Sequence, residues 1–259
     1  MWNLIAYYLR FCRVQRGLSG EDLGKIIGAS KPTVSRIENG TKRLDETDAS
    51  KIDRAWNTGG LFAFMVWYAT LGHDPEWFQE YVKYEQRAEV MRIFEANTVP
   101  GLLQTEDYAR AVLEGGMHPN PMELFRERMA RQGILNADRE TPPHLVVLLS
   151  QAVLDWPIGG VDVLREQLAH LLEMAERPHI TINVLPRTAG AHPGVDGSFS
   201  IMSGDFGDVA YTVSPGGGRL VSAPSDVRRY ALRFDRISAK ALPEGPSLDL
   251  IKQTMEAMT

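Results

Sequence analysis

The sequence predicts an α+β protein in two parts: an all-α bundle over residues 1–66, then an α+β domain with a mixed sheet over residues 67–259. Three observations carry this. Residues 3–56 fall into four short segments of helical period, each closed by a glycine or an Asn-Gly or Asn-Thr-Gly-Gly stop. From residue 90 onward, apolar runs of strand length alternate with longer helical ones. Three further strand-like runs then follow one another over residues 198–222, as a meander would.

Bulk composition is that of an ordinary folded chain: with 44% hydrophobic and 24% charged residues, disorder over most of the 259 positions is not expected. The single cysteine, Cys12, excludes an intramolecular disulfide and a cysteine metal cluster, and is expected to be a small core residue. It fits a reducing cytoplasm. No signal-peptide pattern opens the chain, and the most apolar stretch, 61–71, is too short to span a bilayer, for which about 20 residues are needed; it reads as a core helix. A cytoplasmic protein with no membrane partner is therefore expected. The net charge of −5 is unevenly shared: residues 1–60 hold ten basic and seven acidic side chains, the remainder 18 and 26. A +3 head on a −8 body suits a chain whose head alone approaches a polyanion.

The elements are expected in this order. A helix over 3–16 would place Leu4, Ile5, Tyr8, Leu9, Phe11 and Cys12 near one face before Gly17 stops it. Ser19 can cap a helix over 20–27, and Gly28 ends it. Ser30 can cap a third helix through Asn39, with Pro32 tolerated in the first turn, and a fourth runs from about 44 to 56. Asp74-Pro75 can begin a helix through Ala88, followed by a strand at 90–94. Thr105 caps a helix over 106–114, and another spans 121–136. Strands at 144–149 and 180–185 flank an amphipathic helix over 161–176. After the meander, Ser225 can cap a helix over 226–241, with a last helix over 247–258.

Three short helices with a tight turn between the second and third form a helix-turn-helix bundle, which can lay its third helix in a major groove. In the run from Leu18 to Gly40, Gly24 would let the third helix pack closely on the second, and Gly28 permits the left-handed turn. With Val34 and Ile37 pointing inward, Lys31, Pro32, Ser35 and Arg36 face outward as a short cationic surface. This run closely resembles the phage-repressor-like, xenobiotic-response-element family of helix-turn-helix domains, over roughly residues 4–60. The resemblance implies double-stranded DNA as a partner. It sets the positions of Lys31, Pro32 and Arg36 against base edges, and those of Ser19, Thr33, Asn39, Lys42 and Arg43 near phosphates. Ser30 and Ser35 complete the expected contact set. The family also pairs the positions of Arg13 and Glu38 in a salt bridge between its first and third helices. Two residues depart from it: Gly20 stands where a backbone-touching Gln is common, and Pro32 where a polar base reader is.

The second part carries no P-loop, no G-x-S-x-G elbow and no H-E-x-x-H, and its histidines have no metal-ligand spacing. No cofactor, metal or catalytic residue is expected. Glu106 and Asp107 follow the cap Thr105, where acids suit the helix dipole, and the glycines 216–218 read as a hairpin turn. Two stretches, Phe94–Ala111 and Leu164–Gly194, resemble the WhiJ-like domain of unknown function that follows a helix-turn-helix in actinobacterial regulators, over roughly residues 76–255. That resemblance implies a regulator of development or secondary metabolism, often paired with a small acidic protein. Ser150-Gln151 departs from the acidic residues frequent there.

The loops 99–105 and 189–197 are expected either to line one cleft for an effector or partner or simply to join packed elements; Glu95, Pro100, Gln104, Thr105 and His192 are the candidate residues. The expected function is a cytoplasmic transcription regulator that binds an operator as a homodimer and is not an enzyme. The alternatives are an enzyme localised by its DNA-binding head and an antitoxin-like protein that sequesters a small partner.

Overall fold

A computed structural model describes residues 1–70, 77–116, 120–136, 141–213 and 218–258. The chain divides into two compact units, Met1–Trp77 and Phe78–Thr259. The expected helix start at Asp74-Pro75, His73, His118 and Gly216-Gly217 lie outside the described residues.

The first unit is helical: α1 (Trp2–Gln15), α2 (Gly20–Ile27), α3 (Lys31–Glu38), α4 (Glu46–Trp56) and α5 (Leu61–Thr70). Its core gathers Ile5, Leu9 and Cys12 of α1, Leu23 and Ile27 of α2, Val34 and Ile37 of α3, and Ala49, Ile52 and Trp56 of α4. Leu4 and Phe11, expected inside, are exposed with Tyr7 and Val14, because the 5-9-12 row fills the core and the 4-7-11-14 row is turned away from it. The stretch read as a core helix, α5, is buried on one side only. Phe62, Val66 and Ala69 join the core, whereas Phe64, Trp67 and Tyr68 are exposed. Residue 66 therefore falls inside a helix packed on α4, and the first unit runs past the break expected there.

Asp53 ties α4 to α5. Its carboxylate, buried within the unit, accepts the backbone N–H groups of Phe62 and Ala63 at 2.9 and 2.8 Å and the hydroxyl of Thr58. It thus satisfies two amides that the first turn of α5 leaves without helical partners. Asp53→Ala is expected to cost about 2 kcal/mol, the upper end for loss of a cap, measured as a lower denaturant midpoint. An unchanged midpoint would mean that water serves those amides equally well.

The second unit comprises α6 (Trp77–Arg87, from Phe78 onward), β1 (Val90–Glu95), α7 (Glu106–Glu114), α8 (Pro121–Arg131), β2 (His144–Ser150), α9 (Gln151–Asp155), α10 (Val161–Ala175), β3 (Ile180–Leu185), β4 (Phe199–Gly204), β5 (Gly207–Thr212), β6 (Arg219–Val221), α11 (Pro224–Ser238) and α12 (Glu244–Glu256). The sheet is mixed, in the order β3-β2-β1-β4-β5-β6. β1, β2 and β3 run parallel, and β4, β5 and β6 add antiparallel neighbours. The α+β architecture expected from the sequence is the one found.

Strand alternation gives each face its own cover. Phe94, Leu148, Leu185, Phe199, Ile201 and Ala210 pack with Val227, Phe234 and Ile237 of α11. The opposite set, in register across the strands, includes Met91, Ile93, Glu95, Val147, Ile182, Ser200 and Tyr211. At the β3 margin the link between α11 and α12 takes the place of a further strand: Leu242 N–H donates to the Val184 carbonyl at 2.8 Å, and Ser247 Oγ accepts the Val184 N–H at 2.9 Å.

Some boundaries shift for local reasons. Ala223, not Ser225, stands before α11, because Pro224 starts the helix two residues earlier than expected. The helix expected over 121–136 tightens after Arg131 into a 3-10 turn over Gln132–Leu135. α9, five residues long, is too short to show a period and was not expected.

Candidate nucleic-acid interface

The second and third helices are mounted by local chemistry that leaves little freedom. Ser19 Oγ accepts the Asp22 N–H at 3.2 Å, and Asp22 in return accepts the Ser19 N–H at 2.9 Å, a reciprocal box at the start of α2. These bonds to Ser19 hold the exposed Asp22 carboxyl below its ordinary range. Gly28 closes α2 at φ 75°, which a side chain would strain. Gly24 is small for a reason different from the one expected. A Cβ there would lie 2.4 Å from the Ala29 carbonyl oxygen, whereas the nearest atom of α3, on Val34, is 3.7 Å away. It is the turn, more than the third helix, that demands the glycine.

α3 is held from below by Val34 and Ile37 and from its far end by an ion pair. Arg13 Nε and Nη2 reach Glu38 Oε1 and Oε2 at 2.6 and 2.8 Å, and Arg13 Nη1 donates to the Leu18 carbonyl at 2.7 Å. One guanidinium thereby joins α1, the turn into α2 and the end of α3. The hydrogen bond from Glu38 raises the pKa of Arg13 against a smaller opposing effect of burial.

On the outer side, Lys31, Pro32, Ser35, Arg36 and Asn39 are exposed, and Thr33 is half-buried. Ser30 precedes the helix without a side-chain bond to its amides, its Oγ lying 3.1 Å from Thr33 Oγ1. Among the described residues Arg36 hydrogen-bonds only Thr33, at 3.4 Å, and Asn39 only Ser35, at 3.4 Å, so neither side chain is committed to the fold. Lys42 is exposed, and the Arg43 guanidinium lies over the Trp2 ring at 4.7 Å. The ten expected contact residues thus sit on the start of α2, along α3 and in the turn after it. Ser19 is occupied in capping.

The candidate residues of the second unit are not brought into one cleft. Gln104 is buried: Nε2 donates to the Val99 carbonyl at 2.7 Å, and Oε1 accepts from Arg128 at 2.9 Å. Thr105 caps α7, and its N–H donates to Gln167 at 2.8 Å. Pro100 is buried beside them. His192 accepts the Gly194 N–H at 3.1 Å and meets the Phe94 ring edge-on. Burial, and then Lys240, lower its pKa. Phe94 and Glu95 are successive residues of β1, so His192 and Glu95 belong to opposite faces of the sheet. The loop 99–105 is stitched into the fold, by Gln132 as well as Gln167, in keeping with the plainer expectation.

Glu95 instead heads a polar group that sequence reasoning missed. Its carboxyl is pushed up to about 7 by burial, opposed by a hydrogen bond from Ser198 and by the charge of Arg128. Arg128, pulled down to about 10 by burial and by its neighbour Arg131, has one hydrogen bond among the described residues, to Gln104. Arg131 reaches Glu85 at 3.3 Å and lies over the Phe78 and Tyr81 rings at 5.1 and 5.8 Å. Burial raises Glu85, and it raises Tyr81 and Tyr211 well beyond the usual tyrosine range. Among the described residues no cluster of His, Cys, Asp and Glu is arranged to hold a metal ion.

The compact helical unit with its exposed cationic α3 is matched in sequence: residues 5–61 match the family model described as a helix-turn-helix domain, so the chain carries such a domain at its N-terminus. Residues 78–253 match the model described as domain of unknown function DUF5753, and by that match over most of its length the chain belongs to the DUF5753 family. Comparison with curated proteins and with solved structures gives no match. No helix among the described residues is long and apolar enough to cross a membrane.

Proposed function

We propose that this chain is a sequence-specific DNA-binding regulator of transcription, of the xenobiotic-response-element type, with a WhiJ-like second unit that receives a signal. The observation that carries the reading is the outer face of α3. Lys31 and Arg36 stand exposed on a helix whose inner face and far end are fixed by Val34, Ile37 and the Arg13–Glu38 pair. Such a helix enters a major groove with its outer face already aimed, and the long side chains adjust to the bases. Arg36 is suited to a bidentate contact with guanine, and Lys31 to an acceptor on a neighbouring base.

One short recognition helix reads few base pairs. The chain therefore acts as a homodimer on an operator whose half-sites lie one helical turn apart, about 34–36 Å. It works in the cytoplasm and does no chemistry of its own. The resemblance to actinobacterial regulators supports this reading, including a small acidic protein or a small molecule as the signal.

Selection of duplexes bound by the purified chain, followed by footprinting, tests it directly. Arg36→Ala is expected to weaken the selected site by about 1–3 kcal/mol and to relax one position of it. Arg43→Ala is expected to weaken all duplexes alike and to flatten the salt dependence. Binding by both variants equal to that of the parent chain would refute the proposed interface.

A further inference from the structure

Two arginines of α8, Arg128 and Arg131, are three residues apart and turned inward, although charged side chains on a surface helix normally face water. The ring of Tyr81 lies 4.6 Å from that of Tyr211, and Arg131 lies over Tyr81. Tyr211 stands directly opposite Ser200 in the β4–β5 register, on the same face as Glu95. Five elements thus converge: α6, α8, β1, β4 and β5. The group is not sealed, because Tyr81, Glu95, Arg128 and Ser198 all keep surface that water can reach.

What is left unfilled there has one chemical character. The Arg128 guanidinium has five N–H groups and, among the described residues, one hydrogen bond, to the neutral Gln104, and no ion pair. Arg131 reaches Glu85 through Nη1, but its Nε is buried with no acceptor among the described residues, and so is the hydroxyl of Ser200, a residue only 5% exposed. Buried donors of this kind are rarely left unmet, and of the two neighbouring guanidinium groups Arg131 has the Glu85 carboxylate in an ion pair while Arg128, among the described residues, has none. We propose that this polar cluster, which reaches water at Arg128, binds a small organic anion, its carboxylate or phosphate group held by Arg128, with Arg131 and the Ser200 hydroxyl as further donors once the anion enters. The Glu95–Ser198 pair and Tyr81 border the remainder of the molecule. The exposed groove lined by Arg219, Arg229 and Arg233 is a weaker competitor, since Asp226 and Asp196 already face Arg229 and Arg233. That the anion serves as the signal rests on the regulator reading; that it binds does not.

Calorimetric titration of the full chain, without DNA, with inorganic phosphate and separately with benzoate tests the site and tells the two kinds of anion apart. One of them is expected to bind saturably with Kd of order 1 mM or tighter. Arg128→Met is expected to weaken that binding at least about tenfold and Ser200→Ala to weaken it less, while Arg229→Met changes nothing. The unliganded Arg128→Met chain is also expected to melt a few degrees higher, because an unpaired buried cation has been removed; a merely structural arginine would give the opposite sign. Titrations that do not saturate with either anion, or an Arg128→Met chain that melts lower and binds as before, would overturn the site. Saturable binding that leaves duplex affinity unchanged would overturn only its role as a signal, and the Arg36 variants judge DNA binding separately.

Discussion

Glu38→Ala is expected to destabilise the first unit by about 3 kcal/mol, the lower end for stranding one partner of a buried pair, as the side chains here keep 14% and 7% exposure. The cost arises mainly from what remains. Arg13 would still be drawn between α1 and α3 by its bond to the Leu18 carbonyl, with two of its donors facing no acceptor. Replacing both residues, Arg13→Met with Glu38→Leu, is expected to recover much of the loss, since no buried charge is then left behind. Denaturant unfolding followed by circular dichroism reads both results, and a double-mutant cycle gives the coupling between them. A Glu38→Ala chain within about 0.5 kcal/mol of the parent, the usual range for a surface change, would reduce the pair to an ornament of the surface. A larger loss of duplex binding than of stability would show in addition that the pair aims α3.

Glu95→Gln is expected to change how stability depends on pH. Burial disfavours the ionised carboxylate, so the folded chain holds this proton more tightly than the unfolded chain, up to about 7 against an ordinary 4.5. The stabilisation is complete below the ordinary value and is lost as the pH rises through 7. Its size is about 2 kcal/mol, from roughly 1.4 kcal/mol per pH unit, reduced for the water that still reaches the group. Glutamine keeps the shape and does not titrate. The variant is therefore expected to melt higher than the parent at pH 8 and to lose less stability between pH 4.5 and 7. The other groups facing Glu95, namely Arg128, Tyr108 and Tyr211, ionise well above this window. Parallel pH dependences for the two chains would show that the fold holds the Glu95 proton no more tightly than the unfolded chain does.

Much of this structure was legible because its signals are local. Ser19, Gly28 and Thr105 announce helix ends through bonds or backbone angles within a few residues, and the structure places them at those ends. The apolar run 180–185 is a strand over those same residues, and the meander is displaced by a single residue or two. The outward set on α3 follows from helical period alone. Period failed where it depends on what lies opposite: Leu4 and Phe11 adjoin the buried row of α1 and could not be assigned a side without the partner helices.

The polar cluster around Glu95 was missed for a related reason. Its members come from α6, β1, α8, β4 and β5, separated by up to about 130 positions, and only the sheet brings them together. One clue was present, however. Arg128 and Arg131 continue the inward row of α8 begun by Leu124 and Phe125, and a charge on an inward row asks for a partner. Of the two readings of loops 99–105 and 189–197, a shared cleft or plain connections, the structure keeps to the second, since strand alternation sets His192 and Glu95 against opposite faces of the sheet.

The bonds from Leu242 and Ser247 to Val184 bear on how copies of this chain can meet. In a strand of six residues only alternate positions offer rungs to a newcomer, and the one at Val184 is already taken by the chain itself. The far margin, β6, is three residues long. A sheet blunted at one end and cut short at the other makes a poor template for a strand added by a second copy, so pairing of copies is expected to use other surfaces.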